Sequence, residues 1–88
     1  MHKQFILIMA DTVRKDMLGC YGNAEMHTPN IDHLCAQGIR YDNAYSCQPV
    51  CGPARSAIFT GVFPHSNGVV ANSLPLGDNV KTIGQRLS

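Results

Sequence analysis

The segment that decides the predicted fold is Gln4–Ala10, with the sequence QFILIMA. Its apolar residues are continuous, without the alternation of a half-exposed strand, and its length is that of a strand. Such runs are typical of a mostly parallel sheet, in which helices cover both faces. We therefore predict that Gln4–Ala10 is a strand buried on both sides, and that it ends at Asp11.

Further along the chain, a second strand and three helices are predicted. In order, they are a helix over residues 29–37, a strand at Ile39–Ser46, a helix at Pro53–Thr60, and a helix that begins near residues 79–82 and still runs at Ser88. Thr28, Pro29 and Gly38 bound the first helix, because threonine caps helix starts, proline suits the first turn and glycine ends helices. The alternation of predicted strands and helices along the chain indicates a single α/β domain over residues 1–88.

Length, charge and hydropathy exclude several classes of protein. The 88 residues carry a net charge of +1 with no block of like charges, so we expect neither a nucleic-acid nor a membrane partner. The apolar run Phe5–Ala10 is shorter than a signal peptide or a membrane span requires. We expect a cytoplasmic location by default, and a periplasmic one stays open.

The four cysteines, Cys20, Cys35, Cys47 and Cys51, allow three interpretations. A disulfide scaffold requires a secretory context, and the sequence shows none. A zinc site is disfavoured because the chain has no C-x-x-C pair and no histidine at ligand spacing. Reduced, partly buried thiols are the simplest interpretation.

Cys51 differs from Cys47 in the residues on its C-terminal side within Ser46–Gly61, SCQPVCGPARSAIFTG. Cys51 falls at the N-terminal edge of the predicted helix, where unpaired N–H groups and the helix dipole favour an anion. Arg55 lies one turn further on and can lean back toward residue 51. This arrangement suits a nucleophile for a phosphate or sulfate ester.

Several of the charged residues can also have purely structural roles. Asp11 can be a turn residue that ends the strand, and Arg55 can be a solvated helix residue. Arg14 and Asp16 are predicted to pair at the surface.

The motif Cys51-Gly52-Pro53-Ala54-Arg55, followed by Thr60-Gly61, resembles the C-x-P-x-R signature of the formylglycine-dependent sulfatases. Four further stretches resemble the N-terminal segment of that family in order and spacing. They are Ile6–Asp11, Asp16–Gly22, Thr28–Asp32 and Gly38–Tyr41. The resemblance covers essentially the whole chain.

The resemblance implies a fold and a chemistry. The fold would be the first part of an alkaline-phosphatase-like, mostly parallel sheet flanked by helices. A maturation enzyme would oxidise Cys51 to formylglycine, whose hydrate offers one hydroxyl to attack sulfur and a second to expel sulfate. Asp11 and residue 51 would contact a divalent cation, calcium or magnesium, and Arg55 would stabilise the sulfate. The substrate would be a small-molecule or carbohydrate sulfate ester.

Two departures from the family pattern bear on the site. Many members have a second aspartate where this chain has Thr12, which offers only a neutral hydroxyl, and serine is frequent at Ala54. The family's later lysine, histidine and metal-site residues would lie beyond Ser88. We therefore expect the isolated chain to be inactive, and to be marginally stable or self-associated.

Two other functions remain as alternatives. One is a phosphodiester or phosphonate monoester hydrolase of the same superfamily. The other is a small non-enzymatic cysteine-containing domain.

Overall fold

The computed structural model describes residues 3–88, which contain short helices joined by extended segments and turns. The α-helices are α1 (Pro29–Gln37), α2 (Cys51–Thr60), α3 (Pro64–Asn67) and α4 (Ile83–Leu87), and they are preceded by 3₁₀ helices at Lys15–Met17 and Gly19–Tyr21. The chain divides into a first unit that ends at Asp42 and a second unit, Asn43–Ser88. Within residues 3–88, no helix is long and apolar enough to cross a bilayer.

Neither predicted strand forms within the described residues, so the sheet is not confirmed. Gln4–Ala10 and Ile39–Ser46 lack strand pairing, and Phe5 is 90% exposed where burial on both faces was predicted. The backbone hydrogen bonds described outside the helices join residues only three or four apart. A strand is held by hydrogen bonds to neighbouring strands and by covering side chains. Gln4–Ala10 has neither here, and its apolar surface is left uncovered.

In the first unit, α1 is docked on the turn at Gly19–Tyr21 through Thr28 and Asp32. α1 begins at Pro29 and ends before Gly38, as predicted. The Thr28 hydroxyl does not cap its own helix. It accepts the Gly19 N–H at 2.9 Å and donates to Asp32 Oδ1 at 3.0 Å, and Asp32 Oδ1 also accepts the Cys20 N–H at 2.7 Å. The side chains of Thr28 and Asp32 therefore hold the N-terminal end of α1 against the Gly19–Tyr21 turn.

The ring of Tyr21 organises the rest of the first unit. The cationic groups of Lys15 and Arg40 lie 5.7 and 5.3 Å from its centroid, distances at which cation–π attraction operates. The Tyr21 hydroxyl donates to the Tyr41 carbonyl at 2.7 Å, and Arg40 donates to the Cys20 carbonyl at 2.5 Å. These bonds join Arg40 and Tyr41, which lie in the second predicted strand, to the turn at Gly19–Tyr21.

In the second unit, the buried amide of Asn67 ties α2 to α3. Asn67 is only 4% exposed. Its Nδ2 donates to Ser56 Oγ and to the Val62 carbonyl, each at 3.0 Å, and its Oδ1 accepts the Val69 N–H at 2.9 Å. A buried amide with partners on both of its ends fixes one arrangement of the segments it joins.

The ends of α2 and α4 agree closely with the predicted bounds. α2 begins two residues earlier than predicted, at Cys51, and ends at Thr60 as predicted. The next residue, Gly61, has a φ of 69°, the left-handed conformation that suits glycine. Thr82 is the N-cap of α4 and forms a reciprocal capping box with Gln85. A helix near the end of the chain is therefore confirmed, but it begins at Ile83 and ends at Leu87, so it does not run to Ser88 as predicted.

Candidate active site

Cys51 is the first residue of α2, and its side chain is exposed. Val50, just before it, has extended backbone angles of φ −97° and ψ 139°, so the chain turns into the helix at Cys51. Pro53, two residues later, is fully buried. The first turn of α2 is therefore anchored through the buried Pro53, while Cys51 in the same turn is accessible to solvent.

The backbone amides at the start of α2 are largely used within the protein. The Gly52 N–H donates to Asn72 Oδ1 at 2.7 Å, and the Ala54 N–H donates to the Val50 carbonyl at 3.1 Å. Pro53 has no N–H to offer. Of the first-turn amides that were expected to hold an anion, that of Gly52 therefore already has an acceptor in the protein, and the guanidinium of Arg55 becomes the more important donor in the proposal below.

Asn72 was missed by the sequence analysis, and Gly52 explains how it reaches the helix. A Cβ at position 52 would lie 2.8 Å from Asn72 Oδ1 and 3.3 Å from Asn72 Cα. Only glycine leaves room for this approach. The sequence offered only a turn signal, because asparagine and serine at positions 72 and 73 both favour turns. The structure agrees, with Ser73 at a left-handed φ of 66°, but a turn signal does not indicate the contact with Gly52.

Arg55 lies one helical turn after Cys51 and is exposed. Residues four apart on a helix share a face, so α2 places Arg55 beside residue 51. Cys47 lies before the helix and is also exposed. Helical spacing therefore places Arg55 on the same face of α2 as Cys51, whereas Cys47 lies outside the helix.

Asp11 is in the first unit, exposed, at a bend directly after the extended segment Gln4–Ala10. The next residue, Thr12, has a φ of 53°, a left-handed conformation that is costly for a β-branched side chain. The Asp11 carboxylate is the hard oxygen ligand that calcium and magnesium prefer. However, residues 3–88 contain no group of three or more His, Cys, Asp or Glu side chains that could hold a metal.

All four cysteines are free thiols. Cys20 and Cys35 are half-buried. Burial raises the pKa of the Cys20 thiol, and the neighbouring thiol of Cys35 raises it further. Cys20 is therefore a weaker nucleophile than an exposed thiol, and the exposed thiols are those of Cys47 and Cys51.

An apolar groove of about 460 Å³ lies along another part of α2. The Tyr45–Cys47 loop, Ala57, Ile58 and Phe63 contribute to its lining, whereas Cys51 and Arg55 do not. The groove is apolar and lacks both site residues, so we do not assign the anionic group of a substrate to it.

The family comparisons agree with the motif at Cys51. Residues 3–88 match the family model described as Sulfatase. The uncharacterized sulfatase YidJ of Escherichia coli K12 is 43% identical over 81 residues, which are 92% of this chain and 16% of that protein. The ulvan-active sulfatase of Formosa agariphila is 40% identical over 78 residues, which are 89% of this chain and 16% of that protein.

A third relative is the N-acetylglucosamine-6-O-sulfatase of Bacteroides thetaiotaomicron. It is 35% identical over 82 residues, which are 93% of this chain and 15% of that protein. The chain thus spans about a sixth of the length of the curated relatives it matches. No solved structure matches it significantly. Because the family model covers nearly every residue, the chain belongs to the sulfatase family.

Proposed function

We propose that residues 1–88 carry the nucleophile of a sulfate ester hydrolase, and that residue 51 acts after its oxidation from cysteine to formylglycine. One observation carries the proposal: Cys51 is the exposed first residue of α2, Pro53 anchors the same turn in the interior, and Arg55 lies one turn further on. Cys47 has none of these supports. Oxidation requires a maturation enzyme, which we propose as a partner.

Formylglycine would supply, as its hydrate, two hydroxyls on one carbon, one to attack sulfur and one to release sulfate. The chain's own residues would orient the ester. The guanidinium of Arg55 can donate two parallel hydrogen bonds to sulfate oxygens. Because Gly52 and Ala54 have already donated their amide hydrogens, Arg55 would provide most of the anion recognition on α2.

We propose Asp11 as one ligand of a divalent cation at this site. A bound cation would lower the pKa of the attacking hydroxyl and offset charge on the sulfate. Calcium takes about 6 to 8 oxygen ligands, and residues 3–88 gather no cluster of candidate ligands. The remaining ligands would therefore come from parts of the protein outside residues 3–88.

We propose that Gln4–Ala10 becomes a buried strand of an alkaline-phosphatase-like sheet once neighbouring strands are present. Phe5, Ile6, Leu7 and Ile8 are 68–90% exposed in this chain. A continuous apolar segment is stable in water only when both of its faces are covered. The same change would set Asp11 at the carboxyl end of a strand, where ligands of α/β proteins gather.

For the substrate, we propose a carbohydrate or small-molecule sulfate ester. N-acetylglucosamine appears in the name of one relative, which supports the carbohydrate class. A phosphodiester or phosphonate monoester remains the second candidate, because Thr12 leaves one carboxylate fewer beside Asp11 than many sulfatases have.

The proposal is tested with the complete protein that contains this chain, coexpressed with a maturation enzyme. Turnover of an aryl sulfate and of the matching aryl phosphate diester is measured, and Cys51→Ala is the control. We expect faster sulfate turnover that is lost in the variant. Faster phosphate diester turnover would favour the second candidate, and activity retained by Cys51→Ala would refute the assignment of the nucleophile.

A further inference from the structure

We propose that Asn72 is a positioning residue for the nucleophile: its side chain caps the start of α2 and thereby holds residue 51 in place. The effect on turnover rests on the function proposed above. The cap itself does not, and it can be tested without any activity.

The start of α2 has no cap of its own. Helix starts are best capped by Ser, Thr, Asp or Asn, and valine is among the poorest choices. Val50 occupies the N-cap position, and no side-chain bond caps the helix locally. A helix that begins this way needs an acceptor from elsewhere.

Asn72 supplies that acceptor from 20 residues away. Its Oδ1 accepts the Gly52 N–H at 2.7 Å. Because a backbone N–H can only donate, the oxygen of the side-chain amide must face Gly52. The close approach depends on the missing Cβ of Gly52, and the left-handed backbone of Ser73 sets the turn that presents Asn72. Together, these features fix the backbone of Gly52, the residue that directly follows residue 51.

A second asparagine provides a matched structural control. Asn67 is buried and bonds to Ser56 near the middle of α2 and to Val62 after it. Asn67→Leu should weaken the packing of α2 without touching the Gly52 amide. Asn72→Leu should release that amide, and Asn72→Asp should keep the bond because a carboxylate oxygen accepts equally well.

The first experiment measures amide hydrogen exchange of the complete protein by mass spectrometry with residue-level fragmentation, as the ratio of the Gly52 rate to the Ala57 rate. In Asn72→Leu we expect this ratio to rise about fivefold, the effect of losing a typical N-cap. It should stay near the wild-type value in Asn72→Asp and in Asn67→Leu. An unchanged ratio in Asn72→Leu would overturn the proposal.

The second experiment measures kcat and KM of the complete, aldehyde-bearing protein with an aryl sulfate. We expect Asn72→Leu to lower kcat about ten- to a hundredfold with little change in KM, because a misplaced reacting group mainly costs rate. Asn72→Asp should keep kcat nearer to the wild-type value and raise KM, since its charge opposes an anionic ester. Equal losses of kcat in Asn72→Leu and Asn67→Leu at equal folded fraction would contradict positioning. If the wild-type protein turned over no ester, the proposed function would fail, and the exchange ratio would still decide on Asn72.

Discussion

The segments that carry the proposed site residues, Gln4–Asp11 and α2, are held in opposite ways. Gln4–Asp11 is extended, and four of its apolar side chains are 68–90% exposed. α2 has the buried Pro53 in its first turn, the Asn72 bond at its start and the left-handed Gly61 at its end. α2 is thus specified by contacts within residues 43–88, whereas Gln4–Asp11 requires surface that other parts of a protein must provide.

Replacing the proposed nucleophile should give the largest effect. Cys51→Ala in the complete protein should lower turnover of a sulfate ester by at least about 10³-fold, because removing a nucleophile removes the covalent route. Folding should be nearly unchanged, since the Cys51 side chain is exposed. Cys47→Ala is the matched control and should retain turnover. Peptide mass spectrometry should find an aldehyde on residue 51, and one on residue 47 would reverse the assignment.

The uncovered segment should drive self-association of the isolated chain. Phe5, Ile6 and Ile8 expose apolar surface on a backbone without strand partners, and such edges pair with other chains. In sedimentation velocity, we expect the wild-type chain to associate at micromolar concentration. Ile6→Lys should weaken association about tenfold or more, because each buried apolar side chain contributes about 1.5–3 kcal/mol.

Leu87→Lys is the control for that experiment, because Leu87 is 81% exposed but lies outside the segment. It should change association little. If Ile6→Lys and Leu87→Lys had the same effect, the segment would not be the contact, and general apolar exposure would explain the association.

The features that could be predicted from the sequence are those that depend on residues close together in the chain. The start of α1, the end of α2 and the start of α4 are set by Pro29, Gly61 and Thr82, whose effects act within a turn. The pairing of Cys51 with Arg55 results from helical spacing alone.

The remaining features depend on residues far apart in the sequence. The strand at Gln4–Ala10 requires neighbours that no local pattern can provide. Asn72 meets Gly52 across 20 residues, and nothing in the local sequence of either residue announces that contact. Asn67 likewise joins α2 to the chain beyond Gly61 through a buried amide.

A change at Thr12 tests whether the first unit can bind the proposed cation more tightly, because it places a second carboxylate beside Asp11. Thr12→Asp and Thr12→Asn should each relieve the left-handed strain of a β-branched residue, a gain of about 1 kcal/mol, because Asn and Asp tolerate that conformation. Only Thr12→Asp adds a carboxylate beside Asp11. In calorimetric titration with calcium, we expect weak binding by the wild-type chain and about tenfold tighter binding by Thr12→Asp. Equal affinities of the two variants would show that residue 12 does not face the cation.

The smallest expected effect concerns the exposed pair of Arg14 and Asp16, whose predicted pairing the structure confirms. The hydrogen bond from Arg14 lowers the pKa of Asp16; slight burial opposes this, while the charges of Arg14 and Lys15 add to it. A carboxyl whose pKa is lower in the folded state stabilises that state above its ordinary pKa of about 3.9. This contribution is lost as the pH falls through the lowered value. Because both side chains are exposed, salt should screen the effect. An NMR titration of the Asp16 carboxyl should show a lowered pKa that Arg14→Gln returns toward its ordinary value, and a titration unchanged by Arg14→Gln would contradict the pairing.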